Sequence, residues 1–206
     1  MSPYHHEHCL GVVLAGGLST RMGEDKAQLK RNNVNMLDYA KQLLTQAGVE
    51  QVITSGNKHQ VADIVEQAGP VGGIYSVIKH YKPSAMLIMP VDLPLMTSDA
   101  LVTLKKVGEL SQKACFFEGH SIPLYLPVNA FVELFLQQAF QSGAYQQSGK
   151  GPSIRALLQQ VPHQAIKADN QKILFNTNTP QEWQQAKKSF ANTQVEKTTL
   201  LGVNHG

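Results

Sequence analysis

The chain is poor in cysteine, in charge of either sign and in long apolar runs. Its two cysteines, Cys9 and Cys115, are too few for a disulfide framework and too far apart for a clustered zinc site. Charged residues make up 16%, below the usual quarter. Eighteen Lys+Arg against fifteen Asp+Glu leave +3, too little to make nucleic acid the first partner to consider. No apolar run approaches the ~20 residues that span a bilayer. The first residues, Met1 to His8, lack the basic region and apolar stretch of a secretory signal. The expectation is a cytoplasmic protein with neither a nucleic-acid nor a membrane partner. His5, His6 and His8 could gather a metal ion, but a solvated chain end is the plainer reading, and they are assigned no function.

What is present is an ordinary apolar share, 42% over 206 residues, enough to offset chain entropy in a folded core and matched to one domain. The pattern alternates short buried runs with helical periods. Cys9 to Ala15 is continuously apolar and stops at Gly16 and Gly17, which predicts a strand covered on both faces, as in a parallel sheet. A helix is predicted over 36–47, ending at Gly48 in the position glycine favours after a helix. Further strands are predicted at 49–55 and 85–91, and a helix from after Gly73 to about His80. Ser98 is read as the cap of the next helix. Two strands, 113–117 and 122–127, flank a Glu118-Gly119 turn. An apolar helix over 129–141 and a Gly-rich loop to Gly151 follow. Pro152 suits the first turn of a helix over 152–160, before short strands near 163–167 and 172–175. Thr179-Pro180 opens a last helix to about Phe190. The domain would occupy 9–190, between a flexible N-terminus (1–8) and a loose tail (191–206). The fold class expected is α/β, a single-domain three-layer sandwich with a mostly parallel sheet flanked by helices.

In such sheets ligands lie beyond the carboxyl ends of the strands. Three places fall there: the loop after Ala15, Asn57, and Asp92. Two glycines directly after a buried strand allow main-chain N–H groups to approach an anion, and Arg21 and Lys26 add cations. The stretch fits neither the P-loop pattern nor the dinucleotide fingerprint. Read alone, it is either a polyphosphate cradle or a tight turn followed by two solvated charges.

Leu14 to Lys26, L-A-G-G-L-S-T-R-M-G-E-D-K, resembles the signature of nucleotidyltransferases that activate sugars and cofactors with a nucleoside triphosphate. Within them the chain most resembles the molybdenum cofactor guanylyltransferases, and the likeness extends over nearly the whole globular region. Ser55 to Gln60, Asp63 with Gly69-Pro70-Val71-Gly72-Gly73, Pro90 to Pro94 and Phe175 to Glu182 are similar to further motifs of that family.

The resemblance implies a Rossmann-like nucleotidyltransferase fold and transfer of GMP from GTP to the terminal phosphate of molybdopterin cofactor. It also implies roles. Leu14, Ala15, Gly16 and Gly17 would hold the nucleotide, with Arg21 and Lys26 on its phosphates. Asn57 and Asp63 would meet the base and sugar, and Asp92 would bind Mg²⁺ and count with Arg21 and Lys26 as catalytic. Lys150, Arg155, Asn176 and Asn178 are candidates for the acceptor. GTP and molybdopterin would be the substrates, and molybdenum-insertion and molybdoenzyme maturation proteins the partners. A phosphate acceptor is already ionised near neutral pH, so alignment and charge stabilisation suffice and no catalytic triad is expected. Two other readings stay open: a related enzyme using CTP or a sugar-phosphate acceptor, and a non-catalytic nucleotide-binding module.

Overall fold

The computed structural model describes residues 9–16, 26–56, 59–65, 68–141 and 151–190. The expected loose ends, with His5, His6 and His8, lie outside these residues, as do Gly17, Arg21, Asn57 and Lys150.

β1 (Cys9–Leu14) is buried along its whole length. A 3-10 turn at Lys26–Gln28 leads into a small hairpin, β2 (Lys30–Arg31) and β3 (Val34–Asn35). Then come α1 (Met36–Gln46), β4 (Gln51–Ser55), α2 (Gly69–Tyr81), β5 (Ala85–Pro90) and α3 (Ser98–Ser111). The second half adds β6 (Ala114–Phe117), β7 (Leu124–Pro127), α4 (Ala130–Gln141), α5 (Ile154–Leu158) and β8 (His163–Ile166). A 3-10 turn at Gln171–Leu174 and a helix over 180–190, α6, complete the described chain.

Six strands form one sheet in the order β4-β1-β5-β7-β6-β8, and β7 alone runs against the others. Alternate strand residues feed two cores. Leu10, Val12, Leu14, Met86 and Ile88 meet Val71, Ile74 and Ile78 of α2, Val132 and Leu136 of α4, and Leu157 of α5. Cys9, Val13, Leu87 and Met89 meet Leu43 and Leu44 of α1 and Leu101 and Leu104 of α3. Trp183 of α6 packs on Met36 at the start of α1. Both faces of the sheet are therefore covered, which is why β1 and β5 read as unbroken apolar runs rather than alternating ones. The expected three-layer sandwich with a mostly parallel sheet is the fold observed.

Several expected boundaries change. α2 begins at Gly69, so Gly72 and Gly73 lie inside it. A Cβ on Gly72 would stand 2.4 Å from the Cβ of Ala68, and one on Gly73 would stand 2.8 Å from Ser55 Oγ. Gly73 serves close approach of helix to strand and Gly72 leaves room for the helix's own cap residue; neither makes a turn. The cap of α3 is Thr97, whose hydroxyl accepts from the Ala100 N–H at 3.4 Å, and Ser98 is already helical. Pro152 precedes α5, whose cap is Ser153, accepting from the Ala156 N–H at 3.1 Å. Residues 171–174 form a 3-10 turn where a strand at 172–175 was expected. The β2–β3 hairpin was not foreseen; Asn32 and Asn33 turn it with φ of 47° and 67°, values asparagine tolerates better than most residues.

Candidate active site

Leu14 is in register with Ser55 on one side and with Pro90 on the other. Three parallel strands therefore end level, and the chain leaves them at Ala15, Gly56 and Val91. The Ala15 N–H donates to the Ser55 carbonyl at 3.0 Å, closing the rung. Beyond it two backbones touch: a Cβ on Gly56, whose φ is +146°, would lie 2.8 Å from the Gly16 nitrogen. Only glycine fits there, and Gly16 is left exposed at the edge.

The chain after Gly56 folds back along the strand end. Gly56 N–H donates to the Val61 carbonyl at 3.0 Å and Val61 N–H to the Thr54 carbonyl at 3.1 Å. The Ile64 N–H donates to Ser76 Oγ at 2.9 Å. This return carries Asp63 to the glycine turn, with one carboxylate oxygen 3.8 Å from where a Cβ on Gly16 would stand and the other 3.7 Å from that of Gly73. Burial pushes the Asp63 carboxyl above its ordinary range, because a less hydrated environment disfavours the charge.

Next to this turn, Lys26 Nζ donates to Asp92 Oδ2 at 3.1 Å and to Asn178 Oδ1 at 2.7 Å. The Lys26 and Asp92 side chains are 15% and 17% exposed, so water screens the pair only partly. Asp92 Oδ1 is buried and has no hydrogen-bond partner among the described residues. Its main-chain carbonyl accepts from the Thr177 N–H at 3.0 Å and the Thr177 hydroxyl at 3.2 Å, which stitches the 175–178 segment to the end of β5. Glu182 Oε2 accepts from the Asn178 N–H at 2.7 Å and the Thr179 N–H at 2.8 Å. Those bonds hold the Glu182 carboxyl below its ordinary range, with the Lys26 charge a smaller contribution.

A third tie fixes the approach of Lys26. Arg31 Nε, on the hairpin just after it, donates to the Pro94 carbonyl at 2.7 Å, two residues beyond Asp92. The guanidinium lies over the Tyr39 ring at 4.3 Å and the Phe190 ring at 5.2 Å. The hairpin, the loop after β5 and α6 are thereby joined around one side chain.

Of the residues expected to act together, Leu14, Ala15, Gly16, Lys26, Asp63, Asp92 and Asn178 share this edge of the sheet. Asn176 and Arg155 are exposed. Gly151 enters α5 against the start of α2, since a Cβ there would lie 2.0 Å from the Ala68 carbonyl oxygen. Sequence reasoning did not single out Thr177, Glu182 or Arg31. Thr179-Pro-Gln-Glu182 carries the capping-box spacing, a signal that could have found Glu182. Nothing local marks the link from Arg31 to Pro94.

A covered parallel sheet with a glycine turn, a lysine–carboxylate pair and an amide at its carboxyl edge defines a nucleotide-handling transferase of the α/β class. The chain belongs to the MobA-like NTP transferase domain family, whose model matches residues 11–160. It is 36% identical over 180 residues to the molybdenum cofactor guanylyltransferase of Xanthomonas euvesicatoria pv. vesicatoria, covering 84% of this chain and 91% of that protein. A probable molybdenum cofactor guanylyltransferase of Pelotomaculum thermopropionicum is 22% identical over 200 residues, 93% of this chain and 98% of its own. Among solved structures, the molybdopterin-guanine dinucleotide biosynthesis protein A of Archaeoglobus fulgidus superposes with a TM-score of 0.69 at 17% identity, covering 89% of this chain and 99% of that one. The 2-C-methyl-D-erythritol 4-phosphate cytidylyltransferase of Thermus thermophilus shares the fold at a TM-score of 0.54 and 11% identity, over 87% and 98% of the two chains. Among the described residues no helix is long and apolar enough to cross a membrane.

Proposed function

We propose that the protein transfers GMP from GTP to the terminal phosphate of molybdopterin cofactor, releasing pyrophosphate. The observation that carries this reading is the cluster of Lys26, Asp92 and Asn178 beside the Gly16–Gly56 turn. A cation, a carboxylate and a main-chain concavity at one sheet edge support a triphosphate site there. In the reaction a phosphate oxygen of the acceptor forms a bond to the α-phosphorus of GTP, and the bond from that phosphorus to the bridging oxygen of pyrophosphate breaks. The attacking oxygen is already ionised, so the chain needs no general base. Its residues align the two phosphates and stabilise charge on the leaving group.

Mg²⁺ is the metal we assign to the site, and the donor set suits it. Asp92 Oδ1 is a hard oxygen, buried and without a hydrogen-bond partner among the described residues. Mg²⁺ takes one or two carboxylates and keeps waters and phosphate oxygens, so a single buried carboxylate beside the proposed triphosphate suits it. Held by Asp92, the ion would supply Lewis-acid neutralisation of phosphate charge. Lys26 adds a fixed ammonium in the same place, and Arg21 is assigned to the phosphates with it. Leu14, Ala15, Gly16 and Gly17 are assigned to the nucleotide through their main chain. Asp63 and Asn57 are assigned to its base and sugar. Asn176, Asn178, Lys150 and Arg155 are assigned to the acceptor, Arg155 from the first turn of α5. Molybdenum-insertion and molybdoenzyme maturation proteins are the partners this activity would serve.

Pyrophosphate release tests the reading. Each nucleoside triphosphate is offered with Mg²⁺, with and without molybdopterin cofactor. Release is expected with GTP and acceptor together. Release with CTP alone rejects the guanine assignment, and nucleotide binding with no release under any condition rejects the transferase.

A further inference from the structure

The amide that anchors Lys26 is itself held from outside the cluster. Glu182 is the third residue of α6, counting Thr179 as its cap, and the Glu182 N–H donates to Thr179 Oγ1 at 3.2 Å. In an ordinary capping box the glutamate reaches back only to the main-chain N–H of the cap. Here the same oxygen, Oε2, takes that N–H at 2.8 Å and also the N–H of Asn178 at 2.7 Å. Asn178 precedes the cap, so its N–H is not among the groups a helix start leaves unsatisfied. The second bond does nothing for the helix that the first does not; what it fixes is Asn178. The Asn178 side chain in turn makes the shorter of the two bonds to Lys26, 2.7 Å against 3.1 Å for Asp92.

We propose that Glu182 is a positioning residue: by holding the main chain of Asn178 it fixes that side chain, and through it the Lys26 ammonium beside Asp92. The geometric part stands on these contacts alone. Its consequence for rate rests on the function proposed above. Two further observations agree. Trp183, the next residue, is buried against Met36, so the turn of helix carrying Glu182 is packed onto α1. Thr177 is bonded to the Asp92 carbonyl through both its N–H and its hydroxyl, so Asn178 is held on either side. Glu182 also brings a second negative charge close to one ammonium, which leaves the trio of Asp92, Glu182 and Lys26 with an excess of one negative charge.

The test compares wild type with Glu182→Ala, Glu182→Gln, Lys26→Met and the Glu182→Ala/Lys26→Met double variant. The first readout needs no activity: limiting acetic anhydride is applied and acetylation of Lys26 is followed by peptide mass spectrometry, with Lys105 as the reference. Lys26 is expected to react about threefold faster in Glu182→Ala, and at about the wild-type rate in Glu182→Gln, whose amide oxygen still accepts. The second readout is kcat for pyrophosphate release, expected about tenfold lower in Glu182→Ala and largely rescued in Glu182→Gln. The double variant should be no slower than Lys26→Met, because residues acting through one another are not additive. Equal acetylation of Lys26 in wild type and Glu182→Ala overturns the proposal, as do rate losses that multiply in the double variant. If Glu182→Ala does not fold, Glu182→Asp replaces it: the carboxylate stays at the helix start but falls short of Asn178, and the same outcomes decide. A wild type that releases no pyrophosphate sinks the assigned function while the acetylation comparison still judges Glu182.

Discussion

Replacing Asp92 by asparagine separates the chemistry of the site from its stability. The change removes one negative charge and keeps an oxygen able to accept from Lys26. The Coulomb attraction of the pair at 3.1 Å is about 5 kcal/mol for an effective dielectric near 20, but most of it offsets desolvation of the two groups. Exposed pairs net about 0–1 kcal/mol, and breaking a fully buried one costs about 3–5. With side chains 15% and 17% exposed and the hydrogen bond retained, a loss of about 1–2 kcal/mol is expected. For a domain of this size that lowers Tm by roughly 3–6 °C, leaving the protein folded at 25 °C. Rate should suffer far more. Asn offers a neutral oxygen where the proposed metal and polyphosphate site calls for a carboxylate, and a ~1000-fold fall in kcat/KM, about 4 kcal/mol, is expected. Pyrophosphate release at 25 °C and a thermal melt in the same buffer measure the two quantities. A variant within about threefold of wild-type rate would refute the role given to Asp92. So would a rate loss that tracks the unfolded fraction.

Three further expectations follow from the same contacts. Arg31→Ala should lower stability by about 1–3 kcal/mol, since it removes a charged donor from the Pro94 carbonyl together with two ring contacts; Arg31→Lys should not restore it, because an ammonium does not reproduce the planar stacking, and denaturant melts decide. Gly56→Ala should abolish GTP binding in calorimetry, because a methyl 2.8 Å from the Gly16 nitrogen forces the two chains apart; wild-type affinity would show that the turn tolerates a side chain. Asp63→Asn and Glu182→Gln should shift the pH dependence of Tm in opposite senses. The folded-state pKa of Asp63 is raised above its ordinary value of 3.8, so wild type loses stability as pH rises from that value through the folded one, and Asp63→Asn gains on it. The folded-state pKa of Glu182 lies below its ordinary 4.5, so its contribution is present above 4.5 and lost as pH falls through the folded value; Glu182→Gln falls behind wild type as pH rises through that window. Melts from pH 3 to 7 in which both differences run the same way would refute the assignment of causes.

How legible this protein is from its residues depends on how local each cause is. β1 and β5 announce themselves because six consecutive buried residues in each leave no polar face to alternate. α1 ends where expected because Gly48 has the positive φ, +75°, that follows a helix. The start of α2 was misread because Gly69-Pro-Val-Gly-Gly73 has the composition of a loop. Only the neighbouring Ser55 shows that Gly73 lets a helix close on the strand. β2 and β3 are too short and polar for any period to register. At the site, the glycine turn and Asp92 were visible as breaks after apolar runs. That Lys26 meets Asn178 was not, because no pattern in either segment refers to the other. Thr177 sits inside the Phe175–Glu182 motif, but nothing there reveals that its N–H and hydroxyl both reach the Asp92 carbonyl.

Lys26 and Asn178 are 152 positions apart in sequence, and Lys26 and Asp92 are 66 apart. A nascent chain emerging at about 5–20 residues per second can therefore pair lysine with aspartate many seconds before the asparagine exists. Until α6 has emerged and seated Trp183 on α1, the cluster lacks its amide. A half-made molecule would hold the sheet and the lysine–aspartate pair without the amide between the two segments, and the emergence of α6 would be the step that completes the cluster.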